Sequence, residues 1–346
     1  MEEILIRQTT AADLEGVAKL WHPRRRDPDI FRWLLADSHG RLRSFVAVSG
    51  EKIVGHIGYI ISDYRFNGAS YKGVFTIEWL VDEASGKQAA LPLYSKVLKM
   101  GDFTFVIGGT EVVWKIYPLL KFKTPLQVSR FLKVTRPLPY LKALNHDPLR
   151  KIVKTAFYSR GLLLRKPLPA NGELALVPYD GNAPILPGSD LAVANETQKE
   201  HIEWLMKVPG VDAYPFTLRK DGKPAGTALC YVQEIEGVVC GRIVHVSYLG
   251  KEVGFWRQVL RQLEQFLTQK GCCIITTLAS DPHFVQALKQ NGHFVFRESP
   301  FWLRDPKGRF EGASWHLTYL EGDLAYRDMY MYDFVPPKKI NSVLVL

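Results

Sequence analysis

Glu78 and Tyr117 are two titratable residues placed where they could take part in proton transfer. Glu78 lies in the run Tyr71–Val81, whose aromatic and β-branched residues are typical of a buried strand. Period-two alternation predicts that its side chain shares a face with Thr76 and Leu80. A partly buried carboxylate there has a raised pKa and can act as a base through a water molecule, with a salt-bridged strand residue as the structural alternative. Tyr117 carries a phenol of pKa about 10 that can donate a proton, with a core tyrosine as the alternative.

Alternating strands and helices in both halves of the chain must position these residues. The first half predicts strands at 4–8, 44–48, 53–62, 71–81 and 103–107, with helices at 13–21, through Trp33, up to Met100 and at 111–120. The second half repeats the order of hairpin, strand, helix, strand and helix. This repetition predicts a duplicated α/β fold. We therefore divide the chain into a first domain at 1–134, a basic linker and helical segment at 135–173, and a second domain at 174–346.

Two motifs carry a resemblance to a known family. The first is the hairpin Phe45–Gly58, with the sequence FVAVSGEKIVGHIG. The second is the family pattern Asn-x-x-Ala-x-x-x-Tyr-x-x-x-Gly-Phe in the last helix, of which the tyrosine and the phenylalanine are present. The residues at its positions are Thr110, Val113, Tyr117, Lys121 and Phe122, and in the second half Asp281, Phe284, Leu288, Gly292 and His293. The chain thus resembles the GNAT superfamily of N-acetyltransferases, in a tandem-domain arrangement related to the Fem-type transferases.

The resemblance implies an α/β fold of two tandem GNAT-like domains, each a mixed, mostly antiparallel sheet flanked by helices. It also implies an N-acyltransferase that uses acetyl-CoA as co-substrate. Acyl transfer from a thioester to an amine requires deprotonation of the ammonium, stabilisation of the oxyanion and protonation of the leaving thiolate. The resemblance assigns these tasks to Glu78, to the backbone N–H groups near Leu80 and Val81, and to Tyr117.

The family holds the pyrophosphate of CoA on bare backbone N–H groups of a glycine-rich loop at a helix N-terminus. In the first domain the loop 81–90 stands at that place, but it lacks the arginine and the paired glycines of the family pattern, and an ordinary strand-to-helix turn is the alternative. The predicted donor-binding residues are Leu80, Val81, Gly86, Lys87, Gln88, Ala89 and Ala90. The second domain has no such loop and has Leu288 in place of the tyrosine, so we expect it to shape the acceptor site. His245 in its central strand is expected to be a core histidine.

The expected acceptor is an amino group on a small molecule or on a sugar or cell-envelope intermediate. A Fem-type transferase that uses aminoacyl-tRNA is one alternative, because it would explain the absent glycine loop and the basic charge of the first half. A non-catalytic protein with two degenerate binding sites is the other.

Charge is concentrated in the first half of the chain. Residues 1–170 hold 27 basic and 15 acidic side chains, and between Lys115 and Lys166 there are 13 basic residues and one acid, Asp147. Such an imbalance indicates an anionic partner, either a membrane surface or tRNA, contacting the region 115–166, with a solvated basic linker as the alternative. Within it, residues 149–157 predict a basic amphipathic helix, which we expect to pack its apolar face on a domain.

The sequence gives no sign of a membrane span, a signal peptide, a metal site or a disulfide framework. No uncharged apolar stretch reaches about 18 residues, and the four cysteines lack metal-ligand spacing. These features predict a cytoplasmic protein, with peripheral attachment to the inner face of the membrane as a second expectation.

Overall fold

The computed structural model describes residues 3–21, 28–37, 39–84, 86–144, 147–163, 174–181, 192–196, 199–235, 237–248, 251–321 and 343–345. Among these residues there are fifteen strands, all joined in one sheet. The strands are β1 (Ile4–Gln8), β2 (Ser44–Ser49), β3 (Lys52–Phe66), β4 (Ala69–Asp82), β5 (Phe103–Ile107), β6 (Lys123–Val134), β7 (Leu174–Pro178), β8 (Val193–Asn195), β9 (Asp212–Lys220), β10 (Lys223–Ile235), β11 (Val238–Val246), β12 (Ile274–Ala279), β13 (Phe294–Arg304), β14 (Trp315–His316) and β15 (Val343–Val345).

The helices found in the same residues lie between these strands in the predicted order. They are α1 (Leu14–Trp21), α2 (Pro28–Leu35), α3 (Ala90–Val97), α4 (Glu111–Ile116), α5 (Pro137–Ala143), α6 (Pro148–Ser159), α7 (Lys199–Leu205), α8 (Val253–Gln269) and α9 (Pro282–Gln290). Local chemistry explains several boundaries. The carboxylate of Asp13 accepts hydrogen bonds from the backbone and the hydroxyl of Thr10, which forms the predicted capping box before α1. Pro148 and Pro282 stand at the first position of α6 and α9, where a missing N–H costs nothing.

Each half contributes the same strand pattern, and the two halves exchange one strand. The main path through the sheet runs β1, β2, β3, β4, β5, β13, β6, β12, β11, β10, β9 and β7. In each half the central strand is parallel to the strand that follows its long helix, β4 to β5 and β11 to β12. The strand after the last helix then crosses over, so that β6 pairs with β12 and β13 pairs with β5. The predicted mixed α/β fold is therefore confirmed, and the strands of both halves form one continuous sheet.

The sheet has a helical layer on each side. On one face, α3 and α4 cover the first half, and α8 and α9 cover the second half, each pair over its own aromatic and aliphatic core. The other face carries a core shared by both halves, to which α1, α2, α7 and residues 310–320 contribute. Residues on the central strands thus face either the core of their own half or the shared core.

Several elements differ from the prediction. Residues 123–134, for which no strand was predicted, form β6, and the strand is held by ladders on both edges. Residues 315–320, where the sequence favours a strand, form a two-residue strand followed by a 3-10 turn. The predicted helix at 149–157 is present as α6, but its apolar face is exposed rather than packed on a domain, with Leu149 at 71% and Ile152 at 58% relative exposure.

Candidate functional site

Glu78 lies at an irregularity in strand β4. Its φ angle is +51°, in the left-handed region that residues other than glycine rarely adopt. The ladder between β3 and β4 shifts at this point, because Gly58 is opposite Ile77 while His56 is opposite Leu80. One extra residue is therefore accommodated in β4, which is a β-bulge. A strained residue of this kind persists only where the surrounding structure holds it, and such residues cluster at functional sites.

The bulge overturns the predicted alternation along β4. Thr76 faces α3, where its hydroxyl hydrogen-bonds the phenol oxygen of Tyr94 at 3.2 Å. Leu80 belongs to the shared core on the opposite face, as does Ile77. The prediction that Thr76, Glu78 and Leu80 share one face is therefore wrong, since the inserted residue inverts the orientation of every side chain that follows it.

The Glu78 carboxylate lies in a buried setting, with the residue only 6% exposed. The imidazole Nδ1 of His56 is 3.1 Å from the Glu78 carbonyl oxygen, which links β3 to the bulge. Burial lowers the pKa of His56 to about 4 despite the opposing effect of that hydrogen bond and of the Glu78 charge. His56 is consequently neutral near pH 7 and donates its Nδ1 proton to the bulge.

Tyr117 stands at the end of α4, as predicted, within an aromatic cluster. Its ring lies 5.0 Å from Phe122 and 5.2 Å from Trp302, and the residue is 3% exposed. Its hydroxyl is hydrogen-bonded to Tyr94, so Thr76, Tyr94 and Tyr117 form a line of hydroxyl groups from β4 to α4. Burial, together with Tyr94, raises the pKa of the Tyr117 phenol well above its usual range. This hydroxyl therefore keeps its proton at neutral pH.

The loop between β4 and α3 holds most of the predicted donor-binding residues. Gly86 is buried, and a Cβ there would lie 2.2 Å from the Val54 carbonyl oxygen, so this glycine is needed for packing against β3. Lys87 and Gln88 begin a 3-10 turn and are exposed, whereas Ala89 and Ala90 are buried in the core beneath α3. Lys87 and Gln88 are therefore the residues of this loop available to a phosphate group.

β4 and β5 separate just before the bulge. Their parallel ladder covers residues 73–75 of β4 and ends at Phe75 opposite Phe105. Further along, Leu80 and Val81 pair with β3 on one side, and Leu80, Val81 and Asp82 pair with β15 on the other. The N–H groups of Leu80 and Val81, the predicted oxyanion donors, thus lie in a strand that is paired on both sides. Offering one of them to a ligand requires β15 to release its pairing.

In the second half β11 and β12 also separate, but the gap between them is filled by another part of the chain. A bulge at Val244 follows the parallel ladder of β11 and β12. Trp315–Glu321, which we call the closing segment, lies across the gap: Nε2 of His316 is 2.7 Å from the Val246 carbonyl oxygen, and the hydroxyl of Ser280 binds the Trp315 carbonyl. Every residue of the closing segment is buried.

Polar groups inside the closing segment contact each other rather than solvent. Nδ1 of His245 is 3.0 Å from the hydroxyl of Thr318, and burial, with His316 and His201 nearby, holds the pKa of His245 well below its usual range. The Glu321 carboxylate accepts hydrogen bonds from the backbone and the hydroxyl of Thr318. Burial outweighs these bonds and raises the pKa of Glu321 to about 7. His245 is thus a core histidine, as expected.

Several residues around the bulge could not be identified from the sequence. Tyr94 and His56 contact the site only because α3 and β3 pack against β4. β15 is a three-residue strand, and its partner β4 lies far earlier in the chain. A sequence signal does exist for the end of α4: Lys121 occupies the glycine position of the family pattern and has a φ of +63°, as Gly292 has +83° in the second half.

The described residues contain no group of His, Cys, Asp and Glu side chains that could hold a metal ion. Nor, in that part of the chain, does any helix combine the length and the apolarity that crossing a bilayer requires.

Comparisons with known proteins identify the fold. No family model matches the chain, and no curated protein matches its sequence. A GCN5-related N-acetyltransferase from Anabaena variabilis superposes with a TM-score of 0.57 at 12% identity, over 88% of this chain and 73% of that one. N-myristoyltransferase from Saccharomyces cerevisiae, solved with bound myristoyl-CoA and inhibitors, gives 0.56 at 12% identity, over 88% and 81%. A candidate acetyltransferase from Pyrococcus horikoshii gives 0.52 at 11% identity, over 95% and 96%. The chain therefore has the fold of GCN5-related N-acetyltransferases and of N-myristoyltransferase over most of its length.

Proposed function

We propose that the chain is an N-acyltransferase that moves an acyl group from acyl-CoA to an amine. The observation that carries this proposal is the buried, left-handed Glu78 at the bulge where β4 leaves β5, on a fold shared with N-acyltransferases. The second half has the same bulge, but its divergence is filled by the closing segment. The reaction site is accordingly assigned to the first half.

In the proposed reaction Glu78 accepts a proton from the acceptor ammonium, directly or through a water molecule. The free amine attacks the thioester carbonyl, and the backbone N–H of Leu80 or Val81 that points toward β15 stabilises the oxyanion once β15 has released it. As the C–S bond breaks, the nitrogen loses its second proton to solvent and the thiolate takes a proton, for which Tyr117 is the proposed donor. Because burial disfavours a phenolate at Tyr117, the proton must be replaced along the hydroxyl line through Tyr94.

Acetyl-CoA is the proposed donor, and Lys87 and Gln88 are the proposed contacts for its phosphate groups. An exposed ammonium and amide at the start of α3 suit an anion, because the N-terminal end of a helix carries partial positive charge. The proposed acceptor is an amino group on a small molecule or on a sugar or cell-envelope intermediate, which enters from the side of the second half.

Calorimetric titration of the full chain with acetyl-CoA tests the donor. We expect micromolar binding that weakens about tenfold in the Lys87→Ala, Gln88→Ala double variant, since a charge-assisted contact contributes about 1.5–3 kcal/mol. Lys207→Ala is the matched control, because Lys207 is an exposed lysine of the second half and its loss leaves the titration unchanged.

A second arm of the experiment separates the alternatives. Absence of heat with acetyl-CoA, myristoyl-CoA and free CoA contradicts the proposal. Tight, salt-sensitive binding of aminoacyl-tRNA in that case supports a Fem-type transferase, and donor binding without product formation at saturating amine supports a non-catalytic protein.

A further inference from the structure

Helix α6 packs against the protein with its less apolar side. Among its residues only Thr155 is buried, and the rings of Tyr158 and, from the edge of the apolar side, Phe157 contact the ring of Phe294 at the start of β13. The aliphatic and aromatic positions of the opposite side form what we call the α6 stripe, whose members are all exposed by 43–71%: Leu149, Ile152, Val153 and Phe157. A surface helix normally buries its apolar face, so an exposed stripe indicates a contact made by another molecule.

Positive charge borders the α6 stripe. Arg150 lies beside it on the same helix, and the guanidinium of Arg160 stacks 3.9 Å over the Phe157 ring, whereas Lys151 and Lys154 lie on the opposite side of the helix. The one acid between Lys115 and Lys166 is Asp147, whose carboxylate caps the N-terminus of α6 by accepting from the Arg150 backbone N–H. The stripe is therefore an apolar surface inside a basic region.

We propose that α6 docks the protein on an anionic lipid surface. Apolar side chains of an interfacial helix enter the boundary between headgroups and acyl chains, while bordering lysines and arginines bind anionic headgroups. The α6 stripe meets the first requirement, and Arg150 and Arg160 meet the second. A lipid surface is thus the partner that complements both features at once.

Charge disfavours a second copy of the chain as the partner, because pairing two stripes would bring two sets of like charges together. An RNA backbone would use the charges alone and would leave four apolar side chains exposed. Membrane docking also leaves the candidate site accessible. Phe294, beside α6, is seven residues along β13 from Phe301, which pairs with β5, and this corresponds to about 23 Å.

Sedimentation with vesicles tests the proposal on the full chain. We expect it to bind vesicles of phosphatidylglycerol and phosphatidylcholine, and to bind pure phosphatidylcholine at least tenfold more weakly. The Arg150→Gln, Arg160→Gln double variant should bind the anionic vesicles about 30-fold more weakly, given roughly 1 kcal/mol per basic residue. Lys207→Gln, Lys223→Gln changes two exposed lysines elsewhere and is the matched control.

The apolar part of the contact is tested separately. Ile152→Ser, Val153→Ser should weaken vesicle binding by about tenfold or more, whereas Leu5→Ser, at an exposed leucine on β1, should not. Because every changed residue is exposed or half-exposed, thermal unfolding should be unaltered in all variants. An RNA partner would be insensitive to the serine changes, so loss of vesicle binding with unaltered tRNA binding distinguishes the two.

A fluorescent label reports the contact directly. The four native cysteines are buried, and burial raises their thiol pKa values, so a polarity-sensitive maleimide should react at Val153→Cys alone. We expect a blue shift of its emission on addition of anionic vesicles. No vesicle binding, binding independent of lipid charge, or a label whose emission does not change would each overturn the proposal.

Discussion

The two halves of the sheet treat the same structural feature in opposite ways. In each half a bulge interrupts the central strand just beyond its parallel ladder, at Glu78 in β4 and at Val244 in β11. In the second half the bulge residue is an apolar member of the shared core, and the closing segment fills the space beyond it. In the first half the bulge residue is a carboxylate in a left-handed conformation, and the edge beyond it is met by the backbone of β15.

This contrast indicates how a duplicated fold divides its work. The bulge comes with the fold, because both halves have it, and so it carries no functional information by itself. What differs is the residue at the bulge and the fate of the space beside it. In the second half, an apolar bulge residue and a buried chain segment make the bulge part of the core. In the first half, the strained backbone and the carboxyl group of Glu78 are retained at a cost to stability.

The largest expected effect is on catalysis, and it tests whether the halves differ in chemistry. Glu78→Gln should lower kcat with acetyl-CoA and a reactive amine about a hundredfold to ten-thousandfold, because the amide cannot accept the proton. His245→Gln, at the residue following the second bulge, should leave kcat within about twofold. Steady-state kinetics across pH measure both.

Glu83→Gln is the charge-matched control, because Glu83 is an exposed carboxylate in the adjoining loop. If Glu78→Gln kept full activity, or if His245→Gln were the damaging change, the assignment of the reaction to the first half would be wrong.

The second prediction concerns how the exchanged strands are held. Lys133 on β6 is buried and its ammonium lies 2.6 Å from the Glu264 carboxylate, which also bonds His293 at 2.9 Å. Glu264→Gln leaves the Lys133 charge without its counterion and should lower the free energy of unfolding by about 3–5 kcal/mol. Urea unfolding measures this, with Lys52→Ala as the control. Lys52 forms an exposed ion pair in the first half and should cost about 0.5 kcal/mol or less.

The pH dependence of this buried ion pair follows from the direction in which the pKa of Glu264 is shifted. Burial would raise the pKa of Glu264, but the hydrogen bonds and charges of His293 and Lys133 outweigh it and hold the pKa below its ordinary value. The stabilisation is therefore present above the pKa of an unfolded glutamate and is lost as the pH falls below it. A wild-type free energy of unfolding that did not decline in acid more steeply than that of Glu264→Gln would contradict this account.

Local patterns in the sequence were sufficient to predict many of the helices and strands of both halves. The hairpin Phe45–Gly58, the strand 103–107 and the helices 111–120 and 149–157 depend on periodicity, turn residues and caps, which act over a few residues. The exchange of β6 and β13 could not be predicted, because each strand is specified by partners more than a hundred residues away. Exposure of the α6 stripe was missed for a similar reason, since periodicity defines a face but not what covers it.

The candidate site was predictable in position and not in geometry. Placing Glu78 and Tyr117 near the ends of adjacent elements required only strand and helix assignments and a family pattern. The bulge at Glu78 leaves no signal in the sequence, because nothing in the run 71–81 marks an extra residue, and it inverts the expected faces. The buried role of Gly86 likewise depends on contact with Val54 across the sheet.

The third prediction tests the comparison between the two halves at Glu321 of the closing segment. Burial raises the pKa of Glu321 to about 7 from its ordinary 4.5, so the folded chain favours the protonated acid. This stabilisation is complete below the unfolded pKa and is lost as the pH rises through about 7, a change of about 3 kcal/mol. Glu321→Gln should therefore be more stable than wild type above neutral pH and should remove that slope. Thermal unfolding between about pH 5 and about pH 8 measures it, and parallel curves for the two proteins would refute the assignment.

The smallest effect comes from the turn that ends the last helix in each half. Lys121 and Gly292 occupy equivalent left-handed positions, with φ of +63° and +83°. Lys121→Gly should raise the free energy of unfolding by about 1 kcal/mol, since the lysine is exposed and gives up only its conformational strain. Gly292→Ala should instead destabilise strongly, because its Cβ would lie 2.1 Å from the Gly161 carbonyl oxygen. Urea unfolding of both variants decides whether the halves share this turn as a backbone requirement, and a loss of stability in Lys121→Gly would show that the lysine side chain itself supports the first half.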